Sequence, residues 1–324
     1  MSSDTGKPVE PAHTPYPYHA GQSLTLKDSN GTEFSAHIIY EYPLTISPVV
    51  VVNFHKHGVV HEAVLKLCDR RFEAAFQEVS RNGMLTPILD DLKDADLMWD
   101  LYNQVVQRTD EEDEEEKRKP ERERFVKEEV EFYYKIRKRY DREVRVYDRL
   151  KSLQGRGIPR LFTTVLLQMP SAPLDLQPGF FQVPGILIEK INGFNLTDLV
   201  TKMPRAPPEL WAHIIQKAIN LIVEINRAGI LDEDSQPRNA LVTRREDAKF
   251  QVYRIDFGEA GIESDVTFRR DDNPDFFKQC AASANNPYAL GGVMVSKIKR
   301  LTGIKLNVVF DQIFPGVDGL PSPE

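Results

Sequence analysis

Short runs of apolar residues, separated by polar turns, mark the first part of the chain as β-structure. Between residues 23 and 66, aromatic and β-branched residues concentrate in three runs, at 34–42, 49–54 and 61–67. We expect these runs to form three successive strands. Residues 1–22 are polar and contain four prolines, so they predict a flexible leader.

The apolar spacing changes to a helical period in the middle of the chain. Residues 69–108 show this period, and seven consecutive acids follow at 110–116. Such a block repels itself and is typical of a solvated linker, although an acidic docking tail for a protein partner is an alternative. Residues 128–150 predict an amphipathic core helix. The residues that share its apolar face are Val130, Tyr133, Ile136, Tyr140, Val144, Tyr147 and Leu150.

Strands and helices alternate over the rest of the chain. Two strands, at 160–168 and 183–189, are separated by a proline-rich loop. Asn195 is a suitable cap for a short helix to residue 203. The further helices are predicted at 209–228, 273–285 and 287–301, the first of them opened by Pro207-Pro208 and stopped by Gly229.

Two spaced motifs carry candidate chemistry. Asp234 is followed five positions later by Asn239 and a short apolar run, and Ile255-Asp256-Phe257-Gly258 comes after a second apolar run. This order resembles the catalytic half of the protein-kinase fold, in the style of fungal kinase-like proteins. The resemblance implies that Asp234 is the catalytic base and that Asn239 and Asp256 hold Mg²⁺ against the phosphates of ATP.

The same resemblance implies an α+β fold with two lobes. The N-lobe is an antiparallel β-structure and the C-lobe is mainly helical and shortened, since no Ala-Pro-Glu anchor follows Gly258. The implied boundaries are a leader at 1–22, an N-lobe at 23–190 with an acidic and helical insertion at about 69–127, and a C-lobe at 191–324.

Nucleotide-binding residues are also implied by the resemblance. Lys66, late in the third strand, would reach the α- and β-phosphates, and Glu143 would pair with it, with Asp141 and Glu129 as alternatives. The segment from Gly185 to Gly193 resembles the hinge that reads adenine with backbone groups, which makes Glu189 and Ile191 candidate cofactor-binding residues. The expected cofactors are ATP and Mg²⁺.

Several positions depart from the family pattern. No glycine-rich loop with G-x-G-x-x-G spacing occurs between the strands, and Asp232, Glu233 and Gln236 stand where histidine, arginine and a basic residue are usual. We expect the adjacent acids to raise one another's pKa unless a metal or Arg238 offsets them. Two functions stay open: a phosphotransferase acting on a protein or small-molecule hydroxyl, and a catalytically impaired pseudokinase that binds nucleotide or protein.

Composition limits the partners and the cellular compartment to be expected. The net charge of −7 argues against a nucleic-acid partner. The two cysteines, Cys68 and Cys280, are far apart and predict thiols in a reducing compartment. No signal-peptide pattern and no apolar run of about 18 residues occurs. We therefore expect a cytoplasmic or nuclear protein that is not secreted and has no membrane partner.

Overall fold

The computed structural model describes residues 17–43, 47–56, 58–69, 121–168, 182–247 and 249–317. It is a mixed α+β structure with antiparallel sheets. The chain divides into two compact units. The first comprises Met1–Arg137 and Val165–Gly185, and the second comprises Lys138–Thr164 and Ile186–Glu324.

A closed six-stranded barrel is the largest sheet among the described residues. Its strands follow the order β1-β2-β3-β4-β6-β5, so β1 has a neighbour on each side and the sheet has no free edge. The three strands expected between residues 34 and 67 are present as β2 to β4, whereas closure into a barrel was not predicted. The strands are β1 Ser23–Asp28, β2 Glu33–Glu41, β3 Val49–Lys56, β4 Val59–Leu67, β5 Leu161–Gln168 and β6 Gln182–Glu189.

The predicted strands bury apolar residues such as Ile38, Val52 and Leu65, and β1, which was not predicted, does the same. Leu24 and Leu26 of β1 alternate with exposed polar residues, as expected for a strand with one buried face. Tyr18, inside the predicted leader, is fully buried and donates a hydrogen bond to Asp69 Oδ2 at 2.5 Å. This part of the leader therefore packs against the barrel.

Helix α1, Glu121–Arg149, begins seven residues before the predicted start. The additional turns contain Glu, Arg and Lys, which are good helix formers even where no apolar period is visible. The predicted apolar face is buried at Val130, Tyr133, Ile136, Tyr147 and Leu150, and Glu143 and Val146 are buried as well. The predicted helix at 69–108 and the acidic block at 110–116 lie outside the described residues, except for Asp69.

In the described part of the second unit, helices α2 to α5 and the C-terminal turns of α1 combine with two small sheets. Helix α3 places the predicted apolar stripe, which includes Trp211, Ile214 and Ile222, in the core. The helices are α2 Leu199–Lys202, α3 Pro208–Arg227, α4 Phe276–Ala284 and α5 Asn286–Thr302. The sheets are β10-β9-β7 and β11-β8, built from β7 Phe194–Asn195, β8 Ile230–Asp232, β9 Ala240–Arg244, β10 Phe250–Arg254 and β11 Ala260–Ile262.

Two further expectations concern the whole described chain. Cys68 and Cys280 are both thiols and do not form a disulfide. Within the described ranges, helices α1 to α5 lack the combination of length and apolar composition that a bilayer crossing requires.

Candidate active site

The loop that carries Asp234 begins where α3 ends. Gly229 has a φ of 85°, a left-handed conformation that glycine adopts without steric cost, so the chain can reverse into β8. Asn226, fully buried in α3, donates from Nδ2 to the carbonyl of Ile230 at 2.8 Å. A single turn of 3₁₀ helix, Pro237–Asn239, then leads into β9. The loop is therefore fixed at both ends.

Asp234 is held by two side chains that follow it in the loop. Asn239 Nδ2 donates to Asp234 Oδ2 at 2.8 Å and to the Asp234 carbonyl at 3.2 Å. Arg238 Nη2 contacts Asp234 Oδ1 at 2.7 Å and Oδ2 at 2.8 Å. The Arg238 side chain is 57% exposed, against 30% for Asp234. A cation thus lies beside the candidate base, although Gln236 replaces the usual basic residue.

Asp256 lies next to this loop through the backbone. The amide of Ile255 donates to the carbonyl of Asn239 at 2.9 Å. This bond places Asp256 near Asn239, the residue that precedes β9. Asp256 has a φ of 65°, a left-handed conformation that is uncommon for a residue other than glycine. Its side chain is exposed, whereas Phe257 is fully buried. Such an outlier is typical of a functional site.

Glu143 is buried in α1, at 3% exposure, close to the Asp-Phe-Gly turn. One of its oxygens accepts a hydrogen bond from the amide of Phe257 at 3.4 Å. Tyr147, one turn later, packs its ring edge-to-face on Phe257 with centroids 5.9 Å apart. Asp141, the nearer alternative, is exposed. Lys66 is half-buried on β4 in the first unit, and its pairing with Glu143 stays a prediction.

Arg254 is a site residue that sequence reasoning missed. It is fully buried, and its Nε donates to Asp232 Oδ2 at 2.5 Å. Its Nη2 and Nη1 donate to the carbonyls of Asp234 at 2.6 Å and Gln236 at 3.1 Å. One guanidinium therefore contacts every second residue of the loop. The available signal was the alternation of β10, which puts Arg254 on the same buried face as Val252.

The acidic run has pKa shifts whose main cause differs from the expected one. Burial raises the pKa of Asp232, the Arg254 guanidinium opposes that shift, and the charge of Asp234 adds to it least. Burial also raises the pKa of Glu233, and Arg142 opposes it. Loss of hydration, rather than repulsion between neighbouring acids, is therefore the dominant influence on both carboxyl groups.

Arginines of α1 hold the segment that follows Gly258. Arg142 Nη1 donates to the Gly258 carbonyl at 3.0 Å and pairs with Glu259 at 3.5 Å, and three further ion pairs extend along the helix face. The pairs are Arg139–Glu259 at 2.5 Å, Arg145–Asp265 at 2.6 Å and Arg149–Glu263 at 3.6 Å. This segment also pairs with the loop, since β11 is antiparallel to β8.

The hinge candidate Glu189 makes hydrogen bonds with the backbone of Arg160. Glu189 Oε2 accepts from the amide of Arg160 at 3.1 Å, and the Glu189 amide donates to the Arg160 carbonyl at 2.8 Å. Ile191 is half-buried, and Ile186 and Ile188 are buried. The adenine contacts of Glu189 and Ile191 stay predictions.

Asn239 and Asp256 carry the types of oxygen donor, an amide and a carboxylate, that magnesium binds in proteins. The Asn239 amide nitrogen is committed to Asp234, which leaves its oxygen to face a cation, and Asp256 presents an exposed carboxylate. Mg²⁺ is usually bound by one or two such side chains together with substrate phosphates. Among the described residues, no group of three or more His, Cys, Asp or Glu side chains forms a self-contained metal site.

No family model matches the sequence, and no curated protein matches it. Among solved structures, the chain is similar to one described as "WaaP in complex with acyl carrier protein", at 18% sequence identity and a TM-score of 0.31. The likeness covers 46% of this chain and 56% of that one, so the chain matches little more than half the length of its neighbour. A likeness at this level does not assign the chain to a family.

Proposed function

We propose that this chain is an ATP-dependent phosphotransferase of protein-kinase-like fold, which transfers the γ-phosphate of ATP to a hydroxyl acceptor. The proposal depends above all on the meeting of the two motifs. Asn239 donates from its side chain to Asp234 and accepts, at its carbonyl, from Ile255, the residue before Asp256. A candidate base and two oxygen ligands thus lie on adjacent backbone segments, which is the arrangement that phosphoryl transfer needs.

Asp234 is the proposed base. The acceptor oxygen attacks the γ-phosphorus, the bond from that phosphorus to the bridging oxygen of the β-phosphate breaks, ADP leaves, and the hydroxyl proton passes to Asp234. A carboxylate has about four lone-pair sites. The three side-chain contacts from Arg238 and Asn239 therefore leave room for a further donor, the acceptor hydroxyl.

Asn239 and Asp256 are the proposed ligands of Mg²⁺. When bound, the metal supplies charge neutralisation to the phosphates. The left-handed backbone at Asp256 and the buried neighbour Phe257 aim the carboxylate away from the core. The exposed guanidinium of Arg238 provides a second positive charge near the base.

A pseudokinase is the second candidate, and one contact favours it. Arg238 covers both carboxylate oxygens of Asp234, and an ion pair kept during nucleotide binding prevents that carboxylate from accepting the acceptor proton. This alternative retains magnesium-dependent nucleotide binding but not turnover.

Calorimetry with Mg²⁺ and ATP tests the metal site. Asp256→Asn removes one charged ligand and keeps a residue that tolerates a left-handed backbone. We expect the parent to bind ATP in a magnesium-dependent way and the variant to lose that dependence. Asp271→Asn, an equal charge change at an exposed residue, is the matched control. No binding at millimolar ATP in the parent removes the phosphotransferase proposal.

Release of phosphate from ATP, with water as acceptor, separates the two candidates. We expect slow magnesium-dependent hydrolysis in the parent and a loss of about 100-fold or more in Asp234→Asn, because the base is removed. Binding without hydrolysis in the parent favours the pseudokinase.

A further inference from the structure

We infer that Arg254 is a positioning residue for Asp234: its buried guanidinium fixes the catalytic loop relative to the strand that leads to Asp256. The inference deepens the proposed function and rests on it. Arg254 is 0% exposed, and its guanidinium donates to one carboxylate and two loop carbonyls. A residue with this many directed contacts in the core specifies a geometry as well as a charge balance.

The hydrogen bonds of Arg254 hold the main chain at and near Asp234, the proposed base. The Asp234 carbonyl accepts from Arg254 Nη2 at 2.6 Å and from the Gln236 amide at 2.7 Å. Arg254 also donates to the Gln236 carbonyl, two residues further along the loop. Arg254 thereby holds the main chain of the loop at Asp234 and at Gln236. The carboxylate of Asp234 is then oriented by Asn239 and Arg238.

Arg254 is itself held in place. Its amide donates to the Gly157 carbonyl at 2.7 Å, and its strand β10 pairs with β9 from Phe250 to Arg254. Because Asp256 comes two residues later, one residue links the candidate base to a candidate metal ligand. The guanidinium that contacts the loop thus comes from β10, and Asp232 on β8 accepts a hydrogen bond from it.

Arg254→Lys is the informative substitution. Lysine keeps a positive charge that can reach Asp232, but a single ammonium cannot contact both loop carbonyls in the planar geometry of a guanidinium. We expect kcat for ATP hydrolysis to fall by about 100-fold, since a small displacement of a reacting group is enough for such a loss. We expect the Kd for ATP with Mg²⁺ to change by less than about threefold, because the metal ligands are unaltered.

Two further variants separate positioning from charge. Asp232→Asn keeps an oxygen acceptor for Nε and leaves both carbonyl contacts in place, so we expect a loss in kcat of less than about tenfold. The double variant D232L/R254M removes the carbonyl contacts without leaving a buried unpaired charge. We expect it to lose as much kcat as Arg254→Lys, so it tests the inference if Arg254→Lys does not fold. Arg156→Lys, an exposed arginine that contacts Glu224 and the Ser152 carbonyl, is the matched control.

Hydrogen exchange without nucleotide provides a readout that does not depend on activity. The amides of Gln236 and Asn239 are bonded within the loop, and we expect them to exchange faster in Arg254→Lys while Val242 in β9 is unchanged. If the parent neither binds nor hydrolyses ATP, the proposed function fails and exchange alone decides this inference. Unchanged exchange and unchanged kcat in Arg254→Lys overturn it. A loss in Asp232→Asn as large as in Arg254→Lys also overturns it, because the ion pair would then be sufficient.

Discussion

Replacing Arg254 by methionine tests the buried ion pair through stability alone. The side chains of Arg254 and Asp232 are 1% and 2% exposed, and their N–O distance is 2.5 Å. Removal of one partner from a buried pair costs about 3–5 kcal/mol, because the remaining charge has lost both water and its partner. The freed carbonyls add little, since Gln236 is exposed and Asp234 still accepts from the Gln236 amide.

The penalty in Arg254→Met depends on pH with a definite sign. Burial already raises the pKa of Asp232 from 3.8, and the variant removes the guanidinium that opposes this shift. A carboxyl whose folded pKa lies above its unfolded value contributes stability that is present below the unfolded pKa and is lost as pH rises through the folded pKa. The penalty of Arg254→Met relative to the parent should therefore be smaller at pH 5 than at pH 7.

Urea denaturation followed by fluorescence measures both effects. Trp211 lies in α3 of the same unit, and a Trp99→Phe background isolates its signal. Arg156→Met is the control, since the Arg156–Glu224 pair has a similar distance of 2.7 Å but is 56% and 48% exposed, so its loss should cost less than about 1 kcal/mol. The double variant D232L/R254M should recover most of the penalty, because no charge is left buried. A penalty no larger than that of the control, or one that grows as pH falls, refutes this reasoning.

Two other predictions concern the neighbourhood of the site. Arg145→Glu should speed amide exchange at Ile262, whose N–H is held by Asp265, and should cost about 0.5–1 kcal/mol; Arg145→Lys, which keeps the charge beside Asp265, should keep exchange slow. Gly193→Ala should cost about 1–3 kcal/mol in a urea melt, because the added methyl group meets the backbone carbonyl of Val242. Gly258→Ala, where the nearest atom is Asp256 Oδ1 at 3.7 Å, should leave the melt nearly unchanged, and equal effects at the two glycines contradict the packing argument.

Local patterns predicted the elements that depend on near neighbours in sequence. The strands from residue 33 to 67, the capped turn at Asn195 and the helix that ends before Gly229 are present because alternation, capping and left-handed termination are local properties. The motif resemblance, rather than a local pattern, selected Glu143, which is buried in α1. It also placed Asp234, Asn239 and Asp256 in order along the chain, and the structure brings these three together.

Features that depend on distant pairing were not predictable. Barrel closure requires β1 to pair with β5, for example Leu26 with Leu167, and no local pattern specifies that partner. Arg254 was missed for the same reason. The alternation of β10 puts it inside, but the acid that accepts its charge is 22 residues earlier, on another strand. A buried cation is stable only with its acceptor, so the sequence of either strand alone is insufficient.

The buried pair has a consequence for how this sequence can vary. A change at Asp232 alone, or at Arg254 alone, leaves one charge stranded in the core, whereas a joint change to two apolar residues does not. Ordinary proteins have a free energy of unfolding of only about 5–15 kcal/mol. Once a few other destabilising substitutions have accumulated, either single substitution is therefore enough to unfold the protein. We expect the two positions to covary among relatives, so that both are charged or both are apolar. Where both are apolar, we expect the residue at position 234 to be no longer an acid.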